Sequence, residues 1–459
     1  MNRCAIASTG RLRVVCRPWH ACTSSAREPR GLRVALASRI NVDVLRAAFL
    51  ALAKDAAPGV DGVTWDAYAE ELDDKLVDLH RRVQSGAYRA LPSRRRYIPK
   101  ADGKQRPLGI AAMEDKIVQA AMKAILTPIY EAEFLGFSYG FRPGRGQHDA
   151  LDALAYGIKG RSVRWILDAD IRRFFDTVNH DWLIRFVEHR IGDKRIVRLI
   201  RKWLRAGALE EGQRIETTEG TPQGAVISPL LANIYLHYVY DLWVNAWRKR
   251  YARGDMIVVR CADDTIVGFQ HHLDARMFLN DLEGRLAKYG LSLHPEKTRL
   301  IEFGKFVAER RKARGERRPE TFDFLGFTHI CGFKRNGRGF QLWRRTKHKQ
   351  RWAALRAINL ELQRIRHWNI DEQGRWLASV LKGYYAYFSV PTNIESMRTF
   401  RHHVKVRWWR NLRRRSQRHR MPWRRMNVIV AKHLPFPIVL HPWPEKRFLV
   451  KHRWQEPYA

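Results

Sequence analysis

The pattern of apolar and polar positions divides the chain into helical and strand-forming segments. Apolar residues spaced three and four apart predict amphipathic helices. The predicted helices are 42–52, 65–84, 114–131, 273–289, 349–367, 373–388 and 394–416. Short apolar runs bounded by turn residues predict strands. The predicted strands are 97–98, 108–110, 163–171, the two runs of 258–269, and the two runs of 291–303. Together these segments indicate an α+β fold.

A basic hairpin is predicted at 93–110, where Asp102-Gly103 separates two strand-forming runs. Lys100 and Arg106 then lie on either side of the turn. Arg can bind phosphate through two hydrogen bonds and Lys acts as a point charge, so the pair suits a triphosphate. Taken without the rest of the chain, a solvated basic hairpin without a ligand is the simpler explanation of the same residues.

Two apolar strands carry carboxylates that need an explanation. Asp168 and Asp170 lie two positions apart, so they share one face of a strand. Asp263 and Asp264 are adjacent at the tip of the hairpin 258–269. Like charges on apolar strands are unfavourable unless a cation meets them, and Mg²⁺ is the natural one. A solvated hairpin turn is the simpler alternative for the pair taken alone.

Two further polar residues lie beside apolar segments. Gln223 is a neutral amide on the Gly-rich loop 220–224, where it could contact a base pair or a sugar. Lys297 follows Pro295 between two apolar runs, both of which are predicted as strands.

Charge distinguishes this chain of 459 residues from an ordinary globular protein. Its 45% hydrophobic content suits a normal core, but a net charge of +39 implies a polyanionic partner. Nucleic acid is the first candidate and an acidic membrane surface the second. No apolar run approaches the roughly 18 residues of a membrane span, so we do not expect a transmembrane protein. We also expect no membrane among the partners. The five cysteines show no Cys-x-x-Cys pair, which favours a reducing compartment and argues against a zinc module.

Basic charge is concentrated after residue 330, where 30 Lys and Arg accompany 6 Asp and Glu. Arg is interleaved with Trp there, as in Arg407-Trp-Trp-Arg410. Guanidinium groups and rings stack on unpaired bases, so this region suits RNA better than a membrane. The arginines predicted to bind RNA are Arg407, Arg410, Arg413, Arg414 and Arg415.

The two ends of the chain differ from its middle. Residues 1–34 are rich in Arg, Ser and Ala, which fits a disordered basic arm, an organellar transit segment or translation from an upstream start codon. We favour the disordered arm. Recurrent prolines after residue 434 predict a wrapped or extended basic tail.

Acidic strands and an upstream basic hairpin are the parts that two-metal-ion nucleotidyl transfer requires. One ion lowers the pKa of a primer 3′-hydroxyl, the other holds the triphosphate, and the ions lie about 3.5–4 Å apart. In their order and spacing, the motifs resemble the group II intron reverse transcriptases of the maturase type. The matching stretches are GVDGVTWDAY, RRRYIPKADGKQRPLGI, SYGFRPGR, DIRRFFD, GTPQGAVISPLLANIYL, CADD, GLSLHPEKT, FDFLGF and the thumb-like LASVLKGYYAYFSVPTN, within roughly 42–426.

The resemblance implies a right-hand polymerase with fingers, a palm with an antiparallel sheet and a helical thumb or maturase domain. The expected divisions are 1–34 (basic arm), 35–160 (fingers with an N-terminal extension), 161–330 (palm), 331–426 (thumb) and 427–459 (tail), with the reverse transcriptase domain at about 80–328. The implied activity is RNA-directed DNA synthesis by a mobile element, together with help in intron splicing. Its implied partners are group II intron RNA, a DNA target and primer, and deoxynucleoside triphosphates.

The same resemblance assigns roles to individual residues. Asp170, which heads DIRRFFD, would bind two Mg²⁺ ions together with Asp263, Asp264 and the main-chain carbonyl of Ile171. Asp168 and Asp176 would make structural contacts. The substrate-binding residues would be Lys100 and Arg106 for the triphosphate, Phe175 as the steric gate against a ribose 2′-hydroxyl, Gln223 for the nucleotide and Lys297 as the acid for pyrophosphate.

Two features depart from the family. Cys261 replaces the usual aromatic residue, most often Tyr, which raises the alternative of an RNA-binding splicing maturase that has lost polymerase activity. No cysteine follows Cys331, so we expect no zinc-binding endonuclease domain and a primer supplied from elsewhere. A reverse transcriptase of a retron or a diversity-generating element is a weaker alternative, because those relatives usually lack so extended a thumb. We expect a bacterial cytoplasmic protein, with organellar import as the alternative.

Overall fold

Three small β-sheets flanked by helices form the framework of the computed structural model, a mixed α+β arrangement. It describes residues 35–99, 105–210, 213–215, 219–221, 223–334, 336–337, 339–415 and 421–451. The strands in these ranges are β1 (Ser93–Pro99), β2 (Gln105–Ile110), β3 (Trp165–Asp170), β4 (Ala208–Glu210), β5 (Gln213–Ile215), β6 (Met256–Cys261), β7 (Asp264–Phe269), β8 (Arg299–Glu302), β9 (Phe322–Phe324), β10 (Phe327–Phe333) and β11 (Phe340–Thr346).

The helices in the same ranges are α1 (Val42–Leu50), α2 (Trp65–Ala69), α3 (Leu72–Ser85), α4 (Met113–Glu131), α5 (Gln147–Gly160), α6 (Phe174–Thr177), α7 (His180–Arg190), α8 (Lys194–Arg205), α9 (Ser228–Leu236), α10 (Leu242–Tyr251), α11 (His272–Ala287), α12 (Val307–Ala313), α13 (His348–Arg364), α14 (Ile370–Phe388), α15 (Ile394–Arg413), α16 (Trp423–His433) and α17 (Pro444–Lys451). A single π-helical turn, His237–Asp241, joins α9 to α10. None of the helices described is both long enough and apolar enough to span a bilayer.

The central sheet has the order β6-β7-β3-β8 and is antiparallel throughout. It is covered on both faces. Leu167 and Val258 belong to one hydrophobic core, and Ile166 and Val259 belong to the other. Burial of both faces explains why the sequence of these strands is almost continuously apolar instead of alternating.

Two smaller sheets accompany the central sheet. The hairpin sheet has the order β2-β1-β4-β5, with β1 antiparallel to β2 and parallel to β4. The C-terminal sheet, β11-β10-β9, is antiparallel. Its strand β10 crosses the boundary expected at 330–331, so the sheet straddles that boundary.

Most predicted elements are confirmed, with ends that lie within four residues of the predicted ones. The single helix predicted at 65–84 is wrong: it is divided into α2 and α3, because Glu71 adopts a left-handed conformation (φ 54°) that an α-helix cannot contain. The first of the two strands predicted around Lys297 is also wrong. Only β8 forms there, and Leu293 makes one isolated bridge to Ile171.

The C-terminal region is more helical than the prolines predict. Of the two alternatives for the tail, wrapped or extended, the extended one is wrong, because α16 continues past residue 427 and α17 forms further on. Helix α17 packs against α5, where Arg447 pairs with Asp152 and Phe448 stacks on Tyr156 with ring centroids 4.7 Å apart. Residues 1–34 and 452–459 lie outside the described ranges.

Candidate active site

The turn between β6 and β7 brings two aspartates to the end of the central sheet. Cys261 pairs with Asp264 across the hairpin, which leaves Ala262 and Asp263 as its turn residues. On the other side of β7, Asp264 lies directly opposite Asp170 of β3. Directly opposed residues of antiparallel strands have Cβ atoms about 5 Å apart. The sheet register thus brings the three aspartates predicted as metal ligands to one place.

Negative charge is concentrated at this turn. Burial, followed by the charges of Asp263 and Asp170, raises the pKa of Asp264 to about 7. Burial also raises the pKa of Asp263; the charge of Asp170 adds to that shift and the charge of Arg106 opposes it. Like-charged carboxylates in a partly dry site favour a bound cation, because a cation stabilises their ionised forms.

The two carboxylates of β3 have different cationic partners. Lys297 Nζ lies 2.7 Å from Asp170 Oδ2. Asp168 lies 3.7 Å from Arg299 of β8, and burial raises its pKa to about 6. Lys297 is therefore next to the aspartate predicted as the first metal ligand, and Arg299 partners the aspartate predicted to be structural.

The oxygens at the turn are of the kind that a hard divalent cation binds. His294 N donates to Asp170 O, and Arg172 N donates to Ser292 O, both at 2.8 Å. Since successive carbonyls of an extended strand point to opposite sides, the Ile171 carbonyl is directed away from this segment, toward β7. Among the residues that the structure describes, no three His, Cys, Asp or Glu side chains form a preassembled metal site. The donors fit Mg²⁺ but do not form a closed set of ligands.

The backbone of Gly140 lies against the turn. A Cβ atom at this position would be 2.2 Å from Ala262 N, closer than any side chain allows. Asn233 Nδ2 donates to Gly140 O at 2.6 Å. Arg260, beneath the turn, forms a buried ion pair with Asp241. Sequence reasoning missed these supporting residues, although an Arg within the apolar run 256–261 was a signal for a buried partner.

A cavity of about 310 Å³ lies between the hairpin sheet and the loop that carries Gln223. Phe175 and Gln223 both line it. Gln223 Nε2 donates to Asp176 Oδ1 at 2.9 Å, and Gly109 N of β2 donates to Gln223 O at 2.6 Å. The structure therefore brings two predicted nucleotide-binding residues into one cavity beside β2, the strand of Arg106. Lys100 lies outside the described residues.

The arginines predicted to bind RNA lie on α15 and just after it, and they differ in their contacts. Arg407 lies over the ring of Trp352 and Arg413 over that of Trp409, at 5.4 and 4.7 Å from the ring centroids. Arg415 Nη2 donates to the Trp368 carbonyl at 2.6 Å. The most exposed members of the set are Arg410, Arg413 and Arg414.

Cys261 lies at the end of β6, on the face that packs into the core shared with Val259. Its side chain is 7% exposed, and burial raises its pKa to about 12. The thiol is therefore a packing residue next to the turn.

Comparison with known proteins connects this geometry to a family. Residues 98–329, half of the chain, match the family model described as reverse transcriptase (RNA-dependent DNA polymerase). Protein YkfC of Escherichia coli is 41% identical over 220 residues, which cover 44% of this chain and 57% of that protein. The group II intron-encoded protein LtrA of Lactococcus lactis is 40% identical over 196 residues, 42% of this chain and 32% of LtrA. A 91 kDa protein in the cob intron of Schizosaccharomyces pombe is 40% identical over 187 residues, 41% of this chain and 23% of that protein.

The matched segments thus span from about a quarter to somewhat more than half of these relatives. The family match nevertheless includes β3, β6 and β7, the three strands that carry the aspartates. The chain belongs to the reverse transcriptase family, and within it to the group II intron reverse transcriptases and maturases.

Proposed function

We propose that the protein is an active RNA-directed DNA polymerase that copies group II intron RNA into DNA and assists splicing of the intron as a maturase. The observation that carries the proposal is the register that sets Asp170 opposite Asp264, with Asp263 adjacent in the turn. In this proposal residues 35–160 act as fingers, 161–330 as palm and 331–426 as thumb of a right-hand polymerase. Intron RNA, a DNA target with its primer, and deoxynucleoside triphosphates are the proposed partners.

The carboxylates of Asp170, Asp263 and Asp264, with the Ile171 carbonyl, would hold two Mg²⁺ ions. When bound, such ions activate a primer 3′-hydroxyl and stabilise the leaving pyrophosphate. The raised pKa of Asp264, about 7, supports this assignment, because it reflects crowded negative charge that a divalent cation would offset.

The remaining residues would bind and orient the incoming nucleotide. Arg106, whose charge reaches Asp263, is suited to the phosphates. The Phe175 ring would exclude a ribose 2′-hydroxyl, and the Gln223 amide, held by Asp176, would contact the nucleotide. Lys297 Nζ would donate a proton to pyrophosphate, and its 2.7 Å contact with Asp170 supports its location at the proposed metal site.

Primer extension on an RNA template with Mg²⁺ tests the proposal. Wild type extends the primer. Asp264→Asn keeps the shape of the side chain but removes its charge, and we expect extension to fall by about 100-fold or more. Asp66→Asn, at an exposed position on α2, is the matched control and should extend at the wild-type rate. A wild-type protein that fails to extend, or an Asp264→Asn protein that extends normally, contradicts the proposal.

Cys261 favours a second candidate, an RNA-binding splicing maturase without polymerase activity. Intron splicing that survives Asp263→Ala, together with no extension by wild type, would support this candidate over the first. An intron RNA that surrounds the reading frame is expected for both.

A further inference from the structure

Arg260 is a fully buried cation directly beneath the candidate active site. Its side chain is 1% exposed, and it belongs to β6, whose six residues are all buried. A guanidinium removed from water is costly unless each donor finds a partner. Asp241, itself fully buried, accepts hydrogen bonds from two of the five donors. Arg260 Nε donates to Asp241 Oδ1 at 2.7 Å, and Nη2 donates to Oδ2 at 2.6 Å.

The other three donors of Arg260 tie separate segments together. Nη2 also donates to Ser138 Oγ at 2.7 Å, and Nη1 donates to Asn233 Oδ1 at 3.1 Å. The last bond runs from Nη1 to the Ala262 carbonyl at 2.9 Å. All five N–H groups are therefore used, and one of them binds the turn that carries Asp263.

The π-helical turn explains how two of these partners face the same guanidinium. Asn233 and Asp241 are eight positions apart, which in a continuous α-helix places them about 80° apart around the axis. The π turn His237–Asp241 accommodates one extra residue. The rotation from Asn233 to Asp241 is therefore that of about seven α-helical residues, which is close to two full turns. Both side chains can then point toward Arg260.

The turn held by this network is strained. Ala262 has φ 58° at the first position of a two-residue turn, where a side chain costs about 1–2 kcal/mol and Gly is usual. The bond from Arg260 to the Ala262 carbonyl stabilises that peptide orientation. Asn233 also donates to the carbonyl of Gly140, whose backbone contacts the other side of Ala262.

We propose that Arg260, supported by Asp241, Asn233 and Ser138, is a positioning residue that orients the Ala262–Asp263 peptide. In this way it directs Asp263 and Asp264 toward the bound divalent cation. The proposal rests on the proposed function, because it requires the aspartates to be metal ligands. A residue that orients metal ligands typically changes metal affinity about 10- to 100-fold when it is altered.

Mn²⁺ binding to the full chain, followed by electron paramagnetic resonance without nucleotide, tests the proposal. Arg260→Lys keeps the charge but loses the five-donor fork, and we expect Mn²⁺ affinity to fall about 10-fold or more. Arg344→Lys is the matched control. Arg344 also forms a buried ion pair, 3.0 Å from Asp152, but it does not contact the turn. Both variants are expected to unfold at lower temperature, and only Arg260→Lys is expected to lose Mn²⁺ affinity.

The outcomes separate the two proposals. If Asp264→Asn loses Mn²⁺ affinity and Arg260→Lys retains it, the positioning role is wrong and the proposed metal site stands. If wild type and Asp264→Asn bind Mn²⁺ equally, the metal site itself is wrong. If Arg260→Lys fails to fold, Ser138→Ala takes its place, because it removes a single acceptor of Arg260. A decrease of about threefold or more in the Mn²⁺ affinity of Ser138→Ala supports the positioning role. An unchanged Mn²⁺ affinity overturns it.

Discussion

Replacing Gly140 by Ala tests whether the position of the β6–β7 turn limits the reaction. The added Cβ would lie 2.2 Å from Ala262 N, whereas ordinary contacts begin near 3.4 Å. Because the added Cβ is fixed to the backbone of residue 140 and the atom that it meets is itself backbone, no side-chain rotation relieves the clash. The turn must therefore move by roughly 1 Å, and a misplacement of this size can cost about 100-fold in rate. That loss corresponds to about 2.7 kcal/mol of transition-state stabilisation.

Single-nucleotide primer extension, measured as kcat and KM under saturating Mg²⁺, is the assay. We expect the loss in kcat, with thermal unfolding measured in parallel to establish that the variant is folded. Gly136→Ala is the matched control from the same loop, because a Cβ there meets no atom within 4 Å. Wild-type kcat in Gly140→Ala, or an equal loss in Gly136→Ala, would refute the reasoning.

Three further predictions concern the nucleotide cavity, pH and RNA. Phe175→Ala should lower discrimination against ribonucleotides by about 10- to 100-fold, measured as the ratio of kcat/KM values; an unchanged ratio would exclude a steric gate. Burial and the charge of Arg344 lower the pKa of His329 to about 3, so the folded state binds this proton less readily than the unfolded chain. The contribution of neutral His329 to the free energy of unfolding is thus fully present above pH 6.5. It is lost as pH falls from 6.5 toward 3, by about 1.4 kcal/mol per pH unit. His329→Phe should make the pH dependence of the unfolding free energy shallower by that amount between pH 6 and 4, and an unchanged slope would contradict it. Neutralising Arg413 and Arg414 together should reduce the slope of log RNA affinity against log salt concentration by at most about two. An unaltered slope would show that these two arginines do not contact RNA phosphates.

The local elements of the fold were predictable because burial leaves a periodic trace in the sequence. Helices such as α11 and α15 agree with their predicted ranges within three residues, since each buries one side of a helix. The break at Glu71 was not predictable, because the apolar spacing of 65–84 continues through it. Its left-handed conformation depends on how α2 and α3 pack.

The candidate site was likewise predictable only in part. The residue types at Asp170, Asp263 and Asp264 pointed to metal chemistry, because carboxylates on apolar strands need a cation. Their mutual approach depends on the pairing of β3 with β7, strands almost a hundred residues apart in the sequence. Lys297 was predicted near pyrophosphate, but its contact with Asp170 appeared only in the folded chain.

The sequence by itself indicated most of the helices and strands, the excess of basic charge and the carboxylates that we propose to hold a metal, because each follows from local composition and spacing. Only the tertiary structure decided which groups support the turn. Arg260 stands out in the sequence as a cation within an apolar run, but nothing local identifies Asp241 as its partner. They become partners because the π turn lets Asp241 face the guanidinium, which the sheet buries. The acceptors of Arg260 lie on α9, the π turn, the loop that carries Ser138 and the β6–β7 turn itself.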